Sequence, residues 1–221
     1  MFYIEGNIGA GKTTFIKLFQ KYLENVLKDS HLILEPVDSW LNTKDSKGKH
    51  ILEYYYEDPK KHGFTFQMNA FISRVYEIEE MKKLNKKYNF VERSVFTDKN
   101  VFTALNFQNS NIDEIQLKVY EKWFEVFSDK FNLKSNGYIY LKTTPEICNE
   151  RIKKRDRSGE SSIPFEYLDR LDILHDIWLN DEKKKGIPVL ELDVSIDYIN
   201  DLEKQVEMFN KIIDFVTNIE L

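Results

Sequence analysis

Two hydrophobic rhythms alternate along this chain. Short apolar runs with the length and flanks of buried strands occur five times: Phe2-Tyr3-Ile4, His31-Leu32-Ile33-Leu34, Tyr88-Asn89-Phe90-Val91, Gly137-Tyr138-Ile139-Tyr140-Leu141 and Pro188-Val189-Leu190-Glu191-Leu192. Between them, apolar positions recur at helical spacing. Phe15, Leu18, Phe19 and Tyr22 follow the first run, and Phe64, Phe71, Val75, Ile78 and Met81 predict a long amphipathic helix over 64–84. Further helical patterns cover 95–107, 112–127, 165–179 and 198–216. Pro36 stops sheet pairing after the second run, and a loop containing Trp40 is expected before the segment 51–56. Thr144-Pro145-Glu146 reads as N-cap, proline at the first helical position and an acid in the first turn. Strands alternating with helices imply parallel pairing through right-handed crossovers. No Gly/Ser/Pro-rich linker and no repeat divides the chain, so one α/β domain over 1–221 is expected.

Composition narrows the function. Hydrophobic residues make up 42% of 221, enough for a sizeable core, and no stretch approaches the roughly 20 apolar residues that span a bilayer. A single cysteine, Cys148, excludes an internal disulfide and a cysteine-rich metal site, and His31, His50, His62 and His175 show no ligand-like spacing. The net charge of −5 argues against a sequence-independent grip on nucleic acid. The composition therefore fits a small-molecule enzyme with no membrane or nucleic-acid partner. The first motif begins six residues in, leaving no room for a targeting segment, so the cytoplasm is the expected compartment.

That motif is Gly6-Asn7-Ile8-Gly9-Ala10-Gly11-Lys12-Thr13-Thr14, which fits G-x-x-x-x-G-K-[ST] between a predicted strand and a predicted helix. Glycines let successive backbone N–H groups converge on one concavity, and the following helix N-terminus adds positive character. Lys12 is expected to reach the β/γ-phosphates and the Thr13 hydroxyl to ligate Mg²⁺. In open α/β sheets ligands sit at the carboxyl ends of the strands. Two other strands end there in Glu35-Pro36 and Glu92-Arg93-Ser94. Carboxylates and an arginine facing a phosphate loop are the parts phosphoryl transfer needs.

The chain resembles the deoxynucleoside kinases of the deoxycytidine/deoxyguanosine kinase type over nearly its whole length. The likeness rests on GNIGAGKTT, on Glu35-Pro36-Val37 with Trp40, and on Phe64-Thr65-Phe66-Gln67 with Arg74. It continues through Glu92-Arg93-Ser94-Val95 with Asp98 and Phe102, then Arg151, Arg155-Asp156-Arg157 and Glu160, with Ile163-Pro164 and Tyr167-Leu168. The resemblance implies a P-loop NTPase three-layer fold, a five-stranded parallel sheet between helices, with an arginine-rich lid over about 151–164. It implies ATP as phosphate donor with Mg²⁺, a deoxynucleoside as acceptor, and a homodimer packed through the helices near 64–84 and 112–127.

Residue by residue, Glu35 resembles the general base for the 5′-hydroxyl, and Arg93 the arginine that holds it ionised. Glu92 would join Thr13 at the metal, and Arg151, Arg155 and Arg157 would close over the triphosphate. Asp197 and Tyr198 resemble the loop beside the donor base, with Asp197 also expected to cap the last helix. Gln67 would pair with the base edge between Trp40, Phe66 and Phe102, with Leu52 and Ala70 in the same pocket. Tyr56 and Glu160 would bind the sugar 3′-hydroxyl. Arg74 and Asp98 match a pair near the base in members that accept deoxycytidine or purines, where thymidine-preferring members are apolar. Tyr55 departs from the methionine of several members, and Ser158-Gly159 and Ser161-Ser162 make the lid less acidic than is usual.

Two other readings share these motifs. A nucleoside monophosphate kinase of the thymidylate type would have to seat a phosphate dianion beside Glu35, which repels it. A non-catalytic nucleotide-binding relative would be expected to have lost some of Lys12, Thr13, Glu35, Arg93 and Arg155, and all are present.

Overall fold

All five apolar runs form strands, and pleating decides which helices cover each face. A computed structural model describes residues 1–155 and 163–220 of the chain. The strands are β1 (Phe2–Glu5), β2 (Ser30–Ile33), β3 (Tyr88–Glu92), β4 (Gly137–Lys142) and β5 (Val189–Asp193). The helices are α1 (Lys12–Val26), α2 (Val37–Asn42), α3 (Ile51–Glu57), α4 (Pro59–Lys82), α5 (Val95–Thr97), α6 (Ala104–Gln108), α7 (Glu114–Lys130), α8 (Pro145–Arg155), α9 (Phe165–Lys184) and α10 (Leu202–Thr217). A π-helical turn, Asp98–Thr103, lies between α5 and α6.

The sheet is wholly parallel in the order β2-β3-β1-β4-β5, with Phe2 opposite both Phe90 and Gly137. Alternation sends Phe2, Ile4, Phe90, Ile139 and Leu141 to one face, where Phe15 and Phe19 of α1 and Phe209 and Ile212 of α10 cover them. Tyr3, Val91, Tyr138 and Tyr140 take the other face, under Phe71 and Ile78 of α4, Tyr120 of α7 and Leu171 and Trp178 of α9. Burial on both faces is why the strands read as continuous apolar runs. Each fully buried ring or branched side chain here contributes about 2 kcal/mol. The result is the expected three-layer arrangement, with the ends of β1, β2 and β3 on one rim.

Several element boundaries differ from the sequence reading. The Trp40 segment is helical, as α2, because Trp40 is drawn under Phe66 in an edge contact of 5.4 Å and so orders its neighbours. The long helix starts at Pro59, where the Asp58 side chain accepts the Lys61 N–H at 3.1 Å. The single helix expected over 95–107 is interrupted by the π-helical turn. The last helix begins at Leu202 and is capped by Asp201, which accepts the Lys204 N–H, and not by Asp197. Asp197 instead accepts from Ile199 N in a turn, while Tyr198 is buried edge-on against Phe15 at 5.7 Å. At Thr144 the expected cap is present, its hydroxyl accepting the Ile147 N–H at 3.5 Å.

His175 on α9 is fully buried, its Nδ1 donating to the Leu171 carbonyl at 2.7 Å and its ring parallel to Tyr140. Burial, with help from the Arg93 charge, pushes its pKa down to about 3. The unfolded chain takes up this proton near pH 6.5 and the folded chain does not, so stability falls as pH drops from about 6.5 toward 3. His175→Leu should lose less stability than the parent between pH 7 and pH 5 in urea unfolding. Equal losses would show that His175 does not report the acid limb.

Candidate active site

The phosphate loop is shaped by contacts that leave no room for side chains. Gly9 has φ +81, and a Cβ there would lie 2.4 Å from the Cys148 carbonyl oxygen of α8. Asn7 ties the loop down, its Oδ1 accepting Ile8 N at 2.8 Å and its Nδ2 donating to the Leu168 carbonyl at 2.9 Å. Gly11, in the left-handed region, caps α1 so that the helix begins at Lys12. Lys12 Nζ donates to the Gly6 and Asn7 carbonyls at 2.9 and 3.0 Å. Its pKa is pushed down to about 7 by burial and by Arg93, against the pull of Glu35, Glu92 and Glu5.

A cleft of about 520 Å³ opens from this loop along the rim of the sheet. Thr13 Oγ1 donates to Glu92 Oε1 at 2.8 Å, and Glu92 Oε2 accepts Glu35 N at 3.2 Å, so the ends of β2 and β3 meet at the loop. No group of three or more His, Cys, Asp or Glu among the described residues is arranged to hold a metal unaided. The Thr13 hydroxyl and Glu92 carboxylate are the hard oxygen pair that suits Mg²⁺ when phosphate oxygens and water complete its shell.

Arg93 follows β3 with φ +63, an uncommon conformation for a residue with a Cβ and of the kind that concentrates at functional sites. This turn brings its guanidinium 4.7 Å from the centre of the Phe102 ring, with Nε 3.1 Å from Glu35 Oε1. Arg74, buried on α4, donates from Nη2 to the same Glu35 oxygen at 2.5 Å and from Nε to Asp98 Oδ2 at 2.8 Å. Burial pushes the Glu35 carboxyl up, but Arg74, then Arg93 and Lys12, more than offset this and bring its pKa to about 2. Glu35 is therefore ionised. Burial holds the Asp98 carboxyl up, at about 6, against the opposing pull of Arg74 and Arg93.

Farther along the cleft, Phe66 stacks on Tyr55 at 4.7 Å and packs against Trp40, with Leu52 and Ala70 in the same cluster. Among the described residues, Gln67 is buried with its Oε1 unpartnered, and one guanidinium nitrogen each of Arg74 and Arg93 is likewise buried without a partner. Tyr55 hydroxyl lies 3.2 Å from that of Tyr167 and accepts from Asn106 Nδ2 at 3.1 Å.

Most of the residues singled out from sequence line this one cleft: Ile8, Gly9, Gly11, Lys12, Thr13, Thr14, Glu35, Trp40, Leu52, Tyr56, Phe66, Gln67, Ala70, Arg74, Glu92, Arg93, Asp98, Phe102 and Arg155. Gly6 and Ala10 shape the loop through their backbones, and Asn7 through its side chain. Arg151 lies outside the lining, clamping the Ala10 and Val194 carbonyls at 2.9 and 2.7 Å. Asp197 and Tyr198 also lie outside it, and Arg157 and Glu160 fall outside the described residues. Sequence reading missed Glu5, whose carboxylate accepts from Ser94 N and Thr97 Oγ1 and fixes the turn after β3. It also missed Lys17, Leu34, Asp38 and Leu41 in the cleft wall. A glutamate closing a buried strand was the available signal for the first, and nothing local marked the others.

A family model described as deoxynucleoside kinase matches residues 2–218. Deoxycytidine kinase 2 of Gallus gallus is 34% identical across 97% of this chain and 89% of its own length. A probable deoxycytidine kinase of fowlpox virus is 33% identical, covering 98% and 88%, and a mitochondrial deoxyguanosine kinase of Xenopus laevis is 30% identical, covering 98% and 89%. With that match running through the loop, the rim and the cleft alike, the chain belongs to the deoxynucleoside kinase family.

Proposed function

We propose that this protein transfers the γ-phosphate of ATP to the 5′-hydroxyl of a deoxynucleoside, favouring deoxycytidine or a purine deoxynucleoside over thymidine. The observation that carries the reading is Glu35, a carboxylate kept ionised by two arginines beside a phosphate loop, in the same cleft as the buried Gln67 amide, whose Oε1 has no partner among the described residues. Glu35 accepts the O5′ proton as the O5′–Pγ bond forms and the bond from Pγ to the β-bridging oxygen breaks, releasing ADP. Lys12, Arg155 and the lid arginines neutralise charge spreading over the transferred group. Mg²⁺, held by Thr13 and Glu92 with the phosphates, would supply further charge neutralisation at the β/γ-oxygens. Gln67 reads the base edge between Phe66, Trp40 and Phe102, and Tyr56 with Glu160 takes the 3′-hydroxyl.

Asp98 and Arg74 together support the base preference, because a buried ion pair in a base pocket is costly unless ligand groups complete it. The test is phosphate transfer from Mg-ATP to the four deoxynucleosides, their ribose counterparts and thymidine monophosphate. Deoxycytidine or a purine deoxynucleoside should lead, and the double change Arg74→Met with Asp98→Ala should move the ratio toward thymidine by about tenfold. An unchanged ratio would remove the role of the pair, and turnover confined to the monophosphate would remove the function itself.

The homodimer reading is supported by a stripe of exposed apolar residues on two neighbouring helices. Ile72 and Tyr76 of α4 and Ile115, Val119, Trp123 and Val126 of α7 are exposed, Ile115 to 69%. A patch of this kind on a folded chain marks an interface. Trp123→Glu should convert a dimer into a monomer in sedimentation velocity, and an unchanged sedimentation coefficient would place the interface elsewhere.

A further inference from the structure

One guanidinium in the cleft holds two carboxylates at once. Arg74 gives Nη2 to Glu35 Oε1 and Nε to Asp98 Oδ2, with the Trp40 ring 5.3 Å from its Cζ. Each carboxylate commits one oxygen to Arg74. Among the described residues, no hydrogen bond reaches Glu35 Oε2 or Asp98 Oδ1, although both residues line the cleft. The two carboxylates come from distant parts of the chain, Glu35 after β2 and Asp98 at the start of the π-helical turn, and Arg74 is their shared contact.

We propose that Arg74 is a positioning residue that couples recognition of the acceptor's base to placement of the proton-accepting carboxylate. The inference rests on reading Glu35 as general base and Asp98 as a contact to the base. A base that offers a hydrogen-bond donor to Asp98 fixes that carboxylate, which fixes Arg74, which holds Glu35 with Oε2 left over for the 5′-hydroxyl. A base that offers no donor leaves Arg74 with slack at the Asp98 end, and Glu35 moves with it. Misplacement of a catalytic group by a fraction of an ångström is felt in the chemical step, so base selection reaches the rate constant as well as the binding constant. Arg93 cannot do this alone, since its guanidinium is held against Phe102 and is joined to Asp98 by no hydrogen bond or ion pair.

The test is a double-mutant cycle on the single-turnover rate with deoxycytidine at saturating Mg-ATP, which keeps product release out of the comparison. Asp98→Asn should lower that rate about tenfold, the size of coupling usual within one ion-pair network. Arg74→Gln should lower it at least as much, and the two changes combined should lose no more than Arg74→Gln alone. Losses that multiply, or an Asp98→Asn variant that raises KM with its rate within about twofold of the parent, would overturn the coupling. Thermal unfolding checks that each variant is folded. If Arg74→Gln is not, Asp98→Asn decides by its split between rate and KM. Glu35→Gln, run alongside, separates the layers: if it retains the parental rate, the reading of the base fails. If it loses the rate while Asp98→Asn changes only KM, the base stands and the coupling falls.

Discussion

Glu35→Gln is expected to cut the single-turnover rate by about a thousandfold while deoxynucleoside affinity changes little. A positioned general base contributes about 10²–10⁴-fold, and the amide is isosteric but cannot take a proton. The expectation depends on the charge state, and the geometry fixes it. Arg74 and Arg93 converge on Oε1 at 2.5 and 3.1 Å, so the carboxylate is ionised throughout the working pH range. A carboxylate so strongly paired is a weak base by itself. Its effectiveness comes from standing where the hydroxyl loses its proton as the phosphoryl group arrives, when proton transfer is driven by bond formation. Isothermal titration with deoxycytidine would separate binding from chemistry. A variant that keeps most of its rate would mean the hydroxyl needs no base from this side chain, and a variant that no longer binds would make Glu35 a binding group.

The second large effect is structural. Gly9→Ala should destabilise the fold by about 3–5 kcal/mol, from the left-handed backbone and from a methyl group forced against α8. The new Cβ meets the Cys148 carbonyl oxygen at 2.4 Å and Ile152 Cγ1 at 2.9 Å, and a helix backbone cannot swing aside as a side chain can. Gly48 provides the control. It has φ +85, close to the +81 of Gly9, but nothing lies within 4 Å of a Cβ built there. Gly48→Ala should therefore cost only the backbone term, about 1–2 kcal/mol. Chemical denaturation of both variants isolates the contact from the strain. Nucleotide binding should vanish in Gly9→Ala and persist in Gly48→Ala. Equal destabilisation of the two would mean that α8 does not confine the loop.

What could be read before the structure was known divides along a physical line. The phosphate loop and the three rim segments were legible because each is local: a strand, its last residues and the turn that follows. The pairing of Arg74 with Asp98 was legible as a cost, since two buried charges need each other. The contact of Arg74 with Glu35 was not, because 39 residues separate them and only the packing of α4 against the sheet closes the gap. The π-helical turn left no trace, since widening a helix by one residue per turn hardly changes which side chains are apolar. The start of α10 was misread because Tyr198 fits the helical spacing yet is used to cover Phe15, with the cap supplied four residues after Asp197. The short helix α2 has no side-chain cap to announce it, and its order comes from Trp40 settling under Phe66.

The sheet order has a consequence for how the protein is made. β1 lies between β3 and β4, so the strand that leads into the phosphate loop pairs with residues 90 and 137. Pairings of such long range make folding slow, because loop closure must precede any reward from contact. Phe2, Tyr3 and Ile4 are made before either partner strand and stay unpaired at least until β3 (Tyr88–Glu92) has followed them. During that interval the nascent chain presents an apolar segment that a chaperone would shield, and the phosphate loop has no strand to spring from. Nucleotide therefore cannot help this chain fold from its N-terminus. It can only stabilise a sheet whose centre has already closed.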